Sequence, residues 1–436
     1  MLHEKIKTLI MKNLVILLLT LFVFSCSQEE NHPALSNIDK REVPGKYRFE
    51  RVYGETPDGY PLPLTGKPIT KQTVIVKNED GLIKEYPQYY TPDEIIGSEE
   101  MRITCMGSGN PPVRMRQAGS SWLVQLGNGE NFIFDIGGGA VLNLWSMGIP
   151  MAELDKLFVT HTHLDHVGGI LPLYDAMGWA RNTPLRVWGA SGYEQSLGIA
   201  EFCKHIEKAA NWHNTSKTGI ILSGGMKIEA NEFDFSKFSK ENPRQLIYDN
   251  NGVKIYAFPV DHILQGAVGY RIEWNGLSFV YTGDSVPTSF EAEQSKGVDV
   301  FAHEMFIDAP TFAEKNSMPL QVAQNIVSEH TPPNKLGEIF SIAKPVLGVG
   351  THYFTNDDTI DPAFRSIRST YAGPVVIGQD LLVINVTKDQ IICRMAITDK
   401  LMWARPAKSS DGNQELMEDV TSVGRTPSFV TETRLN

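Results

Sequence analysis

The sequence predicts an α+β fold in which mixed strands and helices form layers, rather than a strict repeat of strand, helix and strand. From about residue 102 onward, short apolar strands alternate with glycine turns, and helical stretches lie among them. Several successive strands have the short spacing of a hairpin, which favours mixed sheets over a purely parallel sheet. The sequence contains no internal repeat or low-complexity tract that would indicate a different architecture.

The individual elements follow from local patterns. Runs of β-branched and apolar residues bounded by glycine predict strands at residues 73–76, 103–105, 122–126, 132–135, 157–159, 185–188, 253–258 and 277–281, and a further strand from Val346 that ends at His352. Amphipathic patterns with a helical period predict helices at about 140–148, 167–177, 192–212, 287–296, 319–329 and 334–343.

Composition places the chain among ordinary globular proteins. It has 436 residues, of which 42% are hydrophobic and 21% are charged, enough for one large domain or two ordinary ones. The formal net charge of -11 disfavours a general nucleic-acid-binding protein, which usually has a basic balance. We therefore expect no nucleic-acid partner, although a local basic patch is not excluded.

The first 26 residues have the pattern of a bacterial lipoprotein signal peptide. The apolar run Leu14–Phe24 follows Lys12 and is too short for a comfortable transmembrane helix. It ends at Ser25-Cys26, which resembles a lipobox, so we expect lipidation at Cys26 and an outer-membrane location in a Gram-negative bacterium. The acidic pair Glu29-Glu30 favours surface exposure there. The alternative is a plain secretory signal with an incidental cysteine.

The remaining chain divides by composition. Residues 27–45 are polar and predict a tether, and residues 46–100, rich in Tyr, Pro and Gly, predict an N-terminal elaboration packed on the main domain. Residues 101–398 carry the alternating strands and helices and form the predicted main domain. Residues 399–436 are polar and predict a C-terminal tail.

The most informative segment, residues 160–169, reads THTHLDHVGG and holds three histidines and one aspartate within six residues. It follows an apolar run that predicts the end of a buried strand. His161 and His163 are two residues apart, and a strand has a side-chain period of two, so both side chains can point the same way. Asp165 and His166 follow on the turn and can face a second point. Such ligands suit zinc and similar ions, and the alternative is a solvated, histidine-rich loop.

Three further candidate ligands each follow a predicted strand. They are His262, Asp284 and His352, and Gly283 permits a tight turn before Asp284. A lone histidine after a strand is more often structural, but the whole set supplies what a dinuclear metal site needs. The predicted ligands are His161, His163 and His262 for one ion, Asp165, His166 and His352 for the other, and Asp284 between them.

A dinuclear site of this kind is suited to hydrolysis. Two divalent ions about 3.5–4 Å apart clamp an oxyanion and lower the pKa of a bridging water, which becomes the nucleophile. The ions then stabilise charge on the attacked centre. The histidine-rich set favours two zinc ions, although manganese or iron is compatible with it.

These groups, in this order, resemble the metallo-β-lactamase-fold hydrolases, and further motifs resemble their ribonuclease Z and arylsulfatase branch. The motifs are Gly107–Pro112 (GSGNPP), Phe134–Gly139 (FDIGGG), Val268–Ile272 (VGYRI), Ala302–Phe306 (AHEMF) and Glu329–Pro332 (EHTP). The similarity covers roughly residues 102–395. This similarity is specific enough to identify the superfamily. It indicates little about the substrate, because one fold supports many chemistries.

The resemblance implies a four-layer αβ/βα sandwich, the metallo-β-lactamase fold, with the metals at one edge between the sheets. It also implies that Asp165 is both a metal ligand and a proton acceptor. Glu304 and His330 would form a catalytic dyad near the leaving group. A turn or helix-capping role is the alternative for Glu304, and His303 is expected to be structural.

The region of about 189–245 departs from ribonuclease Z, whose flexible basic arm grips transfer RNA. Here the charges are mixed, and no basic run rich in Gly and Pro occurs. We expect this region to form a lid or pocket wall for a small substrate, with Trp212 and His213 as candidate wall residues. Ordinary packing is the alternative for Trp212.

The sequence therefore predicts an exported, dinuclear metal-dependent hydrolase of a sulfate ester, phosphodiester or lactone. One alternative is a ribonuclease Z-like endonuclease that processes RNA 3′ ends, and another is a non-catalytic metal-binding surface lipoprotein. The expected partners are a small-molecule substrate and, through the lipid anchor, a membrane. A homodimer is compatible with the sequence.

Overall fold

The described strands form two mixed β-sheets, one of ten strands and one of seven. The computed structural model describes residues 46–48, 73–178, 181–217 and 224–398. The strands are β1 (Lys46–Arg48), β2 (Thr73–Val76), β3 (Met101–Gly107), β4 (Ser121–Leu126), β5 (Asn131–Phe134), β6 (Lys156–Phe158), β7 (Leu185–Ala190), β8 (Ile228–Phe233), β9 (Gln245–Asn250), β10 (Val253–Pro259), β11 (Val268–Trp274), β12 (Leu277–Tyr281), β13 (Val300–Glu304), β14 (Leu347–Thr351), β15 (Val375–Ile377), β16 (Leu382–Val386) and β17 (Gln390–Met395). The first sheet has the order β1-β2-β17-β16-β3-β4-β5-β6-β7-β8, and the second has the order β15-β14-β13-β12-β11-β10-β9.

The helices lie between these strands in the sequence. They are α1 (Ala140–Ser146), α2 (Leu164–Val167), α3 (Ile170–Gly178), α4 (Ile199–Ala209), α5 (Asn211–Ser216), α6 (Ser289–Gln294), α7 (Ala309–Asn316), α8 (Leu320–Val327), α9 (Pro333–Ala343) and α10 (Asp357–Arg368). Short 3₁₀ turns occur at Met151–Glu153, Gln195–Leu197 and Phe235–Lys237. No described helix has the length and continuous apolar character that a bilayer-spanning segment requires.

The strands alternate their apolar side chains between two clusters, because successive residues of a strand face opposite sides of the sheet. On β5, Phe132 and Phe134 join the cluster between the two sheets, whereas Ile133 joins the cluster under α1 and α3. On β12, Phe279 joins the central cluster and Val280 joins the cluster under α9 and α10. The layers are therefore helix, sheet, sheet and helix, which confirms the predicted α+β four-layer sandwich.

Two predicted helices are each divided in the structure. The stretch predicted at 167–177 is α2 followed by α3, with Gly168 and Gly169 between them. A Cβ atom on Gly169 would lie 2.6 Å from the carbonyl oxygen of Gly137, so the backbone approaches too closely for any larger residue. The stretch predicted at 192–212 contains a 3₁₀ turn and α4, and α5 begins at its end and continues to Ser216.

Two helices, α7 and α10, were not predicted from the sequence. The Asp308 side chain caps α7 by accepting from the backbone N–H of Thr311 at 3.0 Å. Asn356 and Thr359 form a reciprocal capping box at the start of α10. These caps are the local signals that identify a helix start.

The predicted N-terminal elaboration extends the first sheet. Ile75 of β2 pairs with Ile391 of β17, which places β1 and β2 at the edge of that sheet. The fully buried Arg394 donates from Nη1 to Glu94 Oε2 at 2.6 Å, which ties the segment before β3 to β17. The signal peptide with Cys26, the tether and the C-terminal tail lie outside the described residues.

The two sheets are joined at the edge where β6 ends. The Tyr270 hydroxyl of β11 donates to the backbone oxygen of Val159 at 2.6 Å, and the Val268 N–H donates to the oxygen of Thr160 at 3.0 Å. These bonds connect the second sheet to the residues that immediately precede the histidine-rich segment. The segment therefore lies where the two sheets meet.

Candidate metal centre

Four side-chain atoms converge just beyond the ends of β6, β10 and β12. His161 Nε2 lies 3.0 Å from His163 Nδ1, which lies 3.3 Å from His262 Nε2. Asp284 Oδ2 lies 3.8 Å from His161 Nε2 and 4.0 Å from His262 Nε2. Tetrahedral nitrogen ligands of zinc, with bonds near 2 Å, are about 3.3 Å apart. The spacing therefore fits one small divalent ion, and these four residues form the first ligand group.

A second ligand group adjoins the first and consists of Asp165, His166, His352 and Asp284. Asp165 Oδ2 lies 3.0 Å from His352 Nε2 and 3.4 Å from His166 Nε2. Asp284 Oδ1 lies 3.1 Å from His166 Nε2 and 3.4 Å from His352 Nε2. His166 and Asp165 lie on the short helix α2, whereas the sequence had placed them on a turn.

Asp284 is shared between the two groups through its two carboxylate oxygens. Gly283 precedes it with a φ of 65°, and a Cβ atom at Gly283 would lie 2.5 Å from Thr160 Oγ1. Only glycine fits this close approach, which directs the carboxylate between the two groups. The structure thus brings all seven predicted ligands together, with Asp284 in the middle.

The donor atoms of the second group fit a bound cation. His166 Nε2 and Asp284 Oδ1 are buried, and among the described residues neither has a hydrogen-bond partner of acceptable geometry. Buried polar atoms are normally paired. Burial lowers the pKa of His166, but Asp284, Asp165 and Asp135 outweigh burial and raise that pKa well above its ordinary value. This concentration of buried negative charge favours a cation.

The histidines of the first group have lowered pKa values, in contrast to His166 of the second group. Burial lowers the pKa of His161 well below its ordinary value, and burial also lowers the pKa values of His163 and His262. These imidazoles are therefore neutral near pH 7, as metal ligation requires. Burial opposes the ionisation of Asp284, but His166 and His352 outweigh it and hold the pKa of Asp284 well below its usual range.

Asp135 orients His166 from behind. The carboxylate is fully buried and accepts from His166 Nδ1 at 2.7 Å, which leaves Nε2 facing the second group. It also accepts from the N–H and the hydroxyl of Thr160, both at 2.7 Å, and from the Tyr281 hydroxyl at 3.0 Å. Carboxylates in this position fix the tautomer of a ligating histidine. The sequence had marked Asp135 only as part of a motif.

Two other histidines are oriented by local partners. His262 Nδ1 lies 3.2 Å from the backbone oxygen of Glu329, and His161 Nδ1 lies 3.1 Å from the hydroxyl oxygen of Thr160. A carbonyl oxygen only accepts, so His262 Nδ1 donates and its Nε2 carries the lone pair toward Asp284.

Glu304 and His330 form a close pair beside the second group. His330 Nδ1 lies 2.9 Å from Glu304 Oε1, and the Ser285 N–H donates to the same oxygen at 2.7 Å. Burial lowers the pKa of His330, but Glu304 outweighs burial and raises it to about 9. The His330 ring stacks on Phe306 at 4.2 Å. The pair therefore presents a protonated imidazole of fixed orientation.

His303 does not face the centre. It is fully buried, its Nδ1 donates to the backbone oxygen of Glu304 at 2.7 Å, and its Nε2 lies 3.3 Å from Glu291 Oε1. These contacts are those of a structural residue.

The Gly107–Pro112 turn supports His352 rather than a phosphate. The Ser108 N–H and hydroxyl both donate to Asp380 at 2.9 Å, and the Tyr353 N–H donates to the Ser108 oxygen at 3.1 Å. Burial raises the pKa of Asp380 to about 6. The turn thereby anchors the residue that follows His352, which has a φ of 57°.

A small cleft of about 100 Å³ adjoins the first group and opens to solvent. Gly189, Gly192 and Leu197 line it, so part of the region at 189–245 forms a wall as expected. Trp212 and His213 do not line this cleft. Trp212 is 83% exposed, so it neither lines the cleft nor packs in the core. His213 Nε2 lies 3.1 Å from Oδ1 of the surface residue Asp175.

Comparison with known proteins gives a consistent family. A family model described as anti-Pycsar protein Apyc1 matches residues 101–336, more than half of the chain. The chain is 26% identical over 300 residues to ribonuclease Z of Mycobacterium marinum, covering 64% of this chain and 97% of the relative. It is 24% identical over 295 residues to ribonuclease Z of Mycobacterium avium, covering 64% and 96%.

Solved structures of similar shape were also found. The metallo-β-lactamase fold protein YhfI from Bacillus subtilis has 20% identity and a TM-score of 0.49, covering 66% of this chain and all of that chain. The short form of human tRNase Z has 17% identity and a TM-score of 0.48, covering 65% and 98%.

These relatives confirm the expected resemblance to ribonuclease Z-like hydrolases. The name ribonuclease Z, which the two mycobacterial relatives carry, argues against the expectation that this chain has no nucleic-acid partner. That expectation stays a prediction. The individual metal ligands, the number of ions and the identity of the metal also stay predictions.

Replacing the shared carboxylate tests the ligand set. Because Asp284 belongs to both groups, Asp284→Ala is expected to lose most of the bound metal from a protein that otherwise holds close to two divalent ions per chain. Elemental analysis after dialysis measures this. Asp261→Ala, which removes an exposed carboxylate next to His262, is the control and should keep its metal. Two ions retained by the Asp284 variant would refute the assignment.

Asp135→Asn tests the orientation of His166. The amide cannot accept from all four donors that surround Asp135, so the second group should bind metal roughly 10–100-fold more weakly. Competition with a chromogenic chelator gives the affinity of each ion. The control Asp155→Asn changes a carboxylate at the opposite end of β6 and should leave both affinities unaltered. Equal weakening of both ions would contradict a specific role for Asp135.

Proposed function

The chain belongs to the family described as anti-Pycsar protein Apyc1 and is a hydrolase of the metallo-β-lactamase superfamily. From this premise we propose that it is a dinuclear metal-dependent phosphodiesterase that acts on a small substrate. The observation that carries the proposal is the position of Asp284, one carboxylate oxygen in each ligand group, with the Glu304–His330 pair alongside. A non-catalytic metal-binding role would not require that pair.

The phosphodiester is favoured over the other two bond types by the curated relatives. Ribonuclease Z acts on RNA, and RNA is joined by phosphodiester bonds, so the similar chains act on this type of linkage. Sulfate esters and lactones remain outcomes that the substrate panel below distinguishes.

The residues that would hold the metals are the seven of the two ligand groups. When bound, two divalent ions would lower the pKa of a bound water and neutralise charge at the attacked centre. The imidazole-rich donors favour zinc, with manganese or iron as alternatives. The proposed number of two ions is supported by the two groups, each of which offers four donors.

Three side chains have proposed roles in proton transfer. Asp165 lies 3.0 Å from His352 Nε2, so its carboxylate is held at the centre and can accept the proton of the attacking water. His330, kept protonated by Glu304, can donate a proton to the departing oxygen. Glu304 also accepts from the Ser285 N–H, which keeps its carboxylate directed at His330.

A small substrate is favoured over RNA by charge. The net charge is -11, and the described residues that line the cleft include no Lys or Arg. RNA binding depends on cationic contacts to successive phosphates. An RNA 3′-processing endonuclease remains the second candidate, because the curated relatives carry the name ribonuclease Z.

A substrate panel tests the proposal. The protein, loaded with zinc or manganese, is assayed with bis(4-nitrophenyl) phosphate, 4-nitrophenyl phosphorylcholine, 4-nitrophenyl sulfate, lactones and a transfer RNA precursor. We expect metal-dependent turnover of a phosphodiester that Asp284→Ala abolishes. Selective hydrolysis of the sulfate or the lactone would refute the phosphodiesterase, and cleavage of the RNA alone would establish the second candidate.

His330→Ala tests the leaving-group role. The variant should retain its metal and lose roughly 10²–10⁴-fold in kcat, the usual range for a positioned acid. The loss should shrink as the leaving group becomes a better one, because a good leaving group needs less protonation. A series of aryl phosphodiesters with leaving groups of graded pKa measures this. His205→Ala, an exposed histidine of α4, is the control, and an equal loss along the series would assign His330 a structural role.

We also propose that the mature protein is a lipoprotein of the outer membrane, anchored through Cys26. The support is the run Leu14–Phe24 followed by Ser25-Cys26, outside the described residues. One acyl chain binds a membrane only marginally, so stable anchoring relies on the several chains of a bacterial lipoprotein.

Cys26→Ser is expected to shift the protein from the membrane fraction to the soluble fraction, or to leave an unprocessed precursor. Fractionation and labelling with an alkyne fatty acid measure the two effects. Cys203→Ser, which changes a cysteine buried in the main domain, is the control for the loss of a thiol. A Cys26 variant that is still labelled and still sediments with membranes would refute the anchor.

A further inference from the structure

The loop that connects β3 to β4 contacts the backbone beside two ligands of the second group. Ser108, at its start, accepts from the backbone N–H of Tyr353 at 3.1 Å, directly after His352. Gly119, near its end, packs against the other ligand, because a Cβ atom there would lie 2.6 Å from the backbone oxygen of Asp165. The two limbs of this loop therefore influence how far apart the backbones of the two ligands lie.

His352 depends on the β3–β4 loop more than an ordinary ligand would. Its φ of 57° lies in the left-handed region, which a residue with a Cβ atom adopts only where its surroundings hold it. Asn110 Nδ2 donates to the His352 oxygen at 3.4 Å, and Gln117 Nε2 donates to the Tyr353 oxygen at 2.5 Å. Both side chains belong to the loop, so a change in the shape of the loop would move the ligating ring.

One carboxylate, that of Asp380, holds both limbs of the loop. Its Oδ1 accepts from the N–H and the hydroxyl of Ser108, both at 2.9 Å. Its Oδ2 accepts from the N–H of Ala118 at 2.8 Å and from Asn143 Nδ2 of α1 at 2.8 Å. Each oxygen therefore serves one limb, and both must be acceptors for the two limbs to keep their separation.

The place of Asp380 in the chain is itself fixed from both sheets. Asp380 lies in the connection from β15 of the second sheet to β16 of the first. Before it, the Gly378 N–H donates to the oxygen of Gly350 in β14 at 2.7 Å. After it, the Leu381 N–H donates to the oxygen of Cys105 in β3 at 2.7 Å. Asp380 thus has a defined position relative to both strands.

We propose that Asp380 is a positioning residue of the metal centre, which sets the separation of Asp165 and His352 and thereby the affinity of the second group for its ion. Asp165 Oδ2 and His352 Nε2 are 3.0 Å apart, although the two residues follow strands of different sheets. Asp380 acts through the β3–β4 loop, whereas Asp135 contacts a ligand directly. The inference rests on the proposed two-ion centre. The first group contains neither Asp165 nor His352.

Asp380→Asn tests this role in the protein loaded with cadmium, whose NMR spectrum gives one signal for each bound ion. An amide offers one acceptor oxygen, so one limb of the loop would face an NH₂ group. We expect the second group to bind its ion roughly 10–100-fold more weakly, and we expect its signal to shift or broaden while the signal of the first group stays unchanged. Asp165→Ala and His163→Ala assign the two signals, and competition with a chromogenic chelator gives the affinities.

Asp299→Asn is the matched control. Asp299 is buried and likewise accepts from the N–H and the hydroxyl of one serine, Ser278, at 2.7 and 3.1 Å. It precedes β13, at the end of that strand opposite Glu304. The control should lower the thermal stability and leave both cadmium signals unchanged. Equal weakening of both ions in the Asp380 variant would assign Asp380 a general structural role and overturn the proposal.

Ser108→Ala decides the question if Asp380→Asn does not fold. It removes the hydroxyl that donates to Asp380 and keeps the backbone N–H, so we expect a smaller weakening of the second ion alone. Two unaltered signals in the folded variant would overturn the role of Asp380 and leave the two-ion centre intact. A single cadmium signal in the parent protein would overturn the two-ion centre instead.

Discussion

The carboxylate of Asp135 is the contact on which the centre depends. It accepts four hydrogen bonds, two from Thr160, one from His166 and one from Tyr281. Thr160 is the first residue of the histidine-rich segment, which follows β6 of the first sheet, whereas Tyr281 ends β12 of the second sheet. One buried group therefore fixes the start of the segment, the ring of a ligand and the separation of the two sheets.

The buried carboxylate of Asp135 adds negative charge to a centre that already holds two other carboxylates. Asp135, Asp165 and Asp284 surround His166 in a place with little access to water. Buried charges of like sign destabilise the folded state unless they are paired. Other contacts must therefore stabilise this arrangement. The aromatic core between the sheets contributes, with Phe158 stacked on Trp188 at 4.7 Å directly before the segment. Cation binding would offset the remaining repulsion and link metal binding to stability.

The centre is also asymmetric, which gives the two ligand groups different surroundings. The Glu304–His330 pair adjoins the second group, and an apolar cleft adjoins the first. Glu304 ends β13 and His330 lies between α8 and α9, whereas residues 263–267 of the cleft wall belong to a loop that can change without moving these side chains.

The sequence by itself determined the fold class and the seven candidate ligands, because strand alternation and a ligand after a strand are local patterns that neighbouring residues reveal. It did not reveal the orienting role of Asp135, the caps that begin α7 and α10, or the exposure of Trp212. Only the tertiary structure gave the distances from Asp284 to the ligands of both groups and joined residues 189–192 to residues 263–267 around one cleft. Those contacts connect residues far apart in the chain and on different sheets, and their distances are set by how the sheets pack, which no local period encodes.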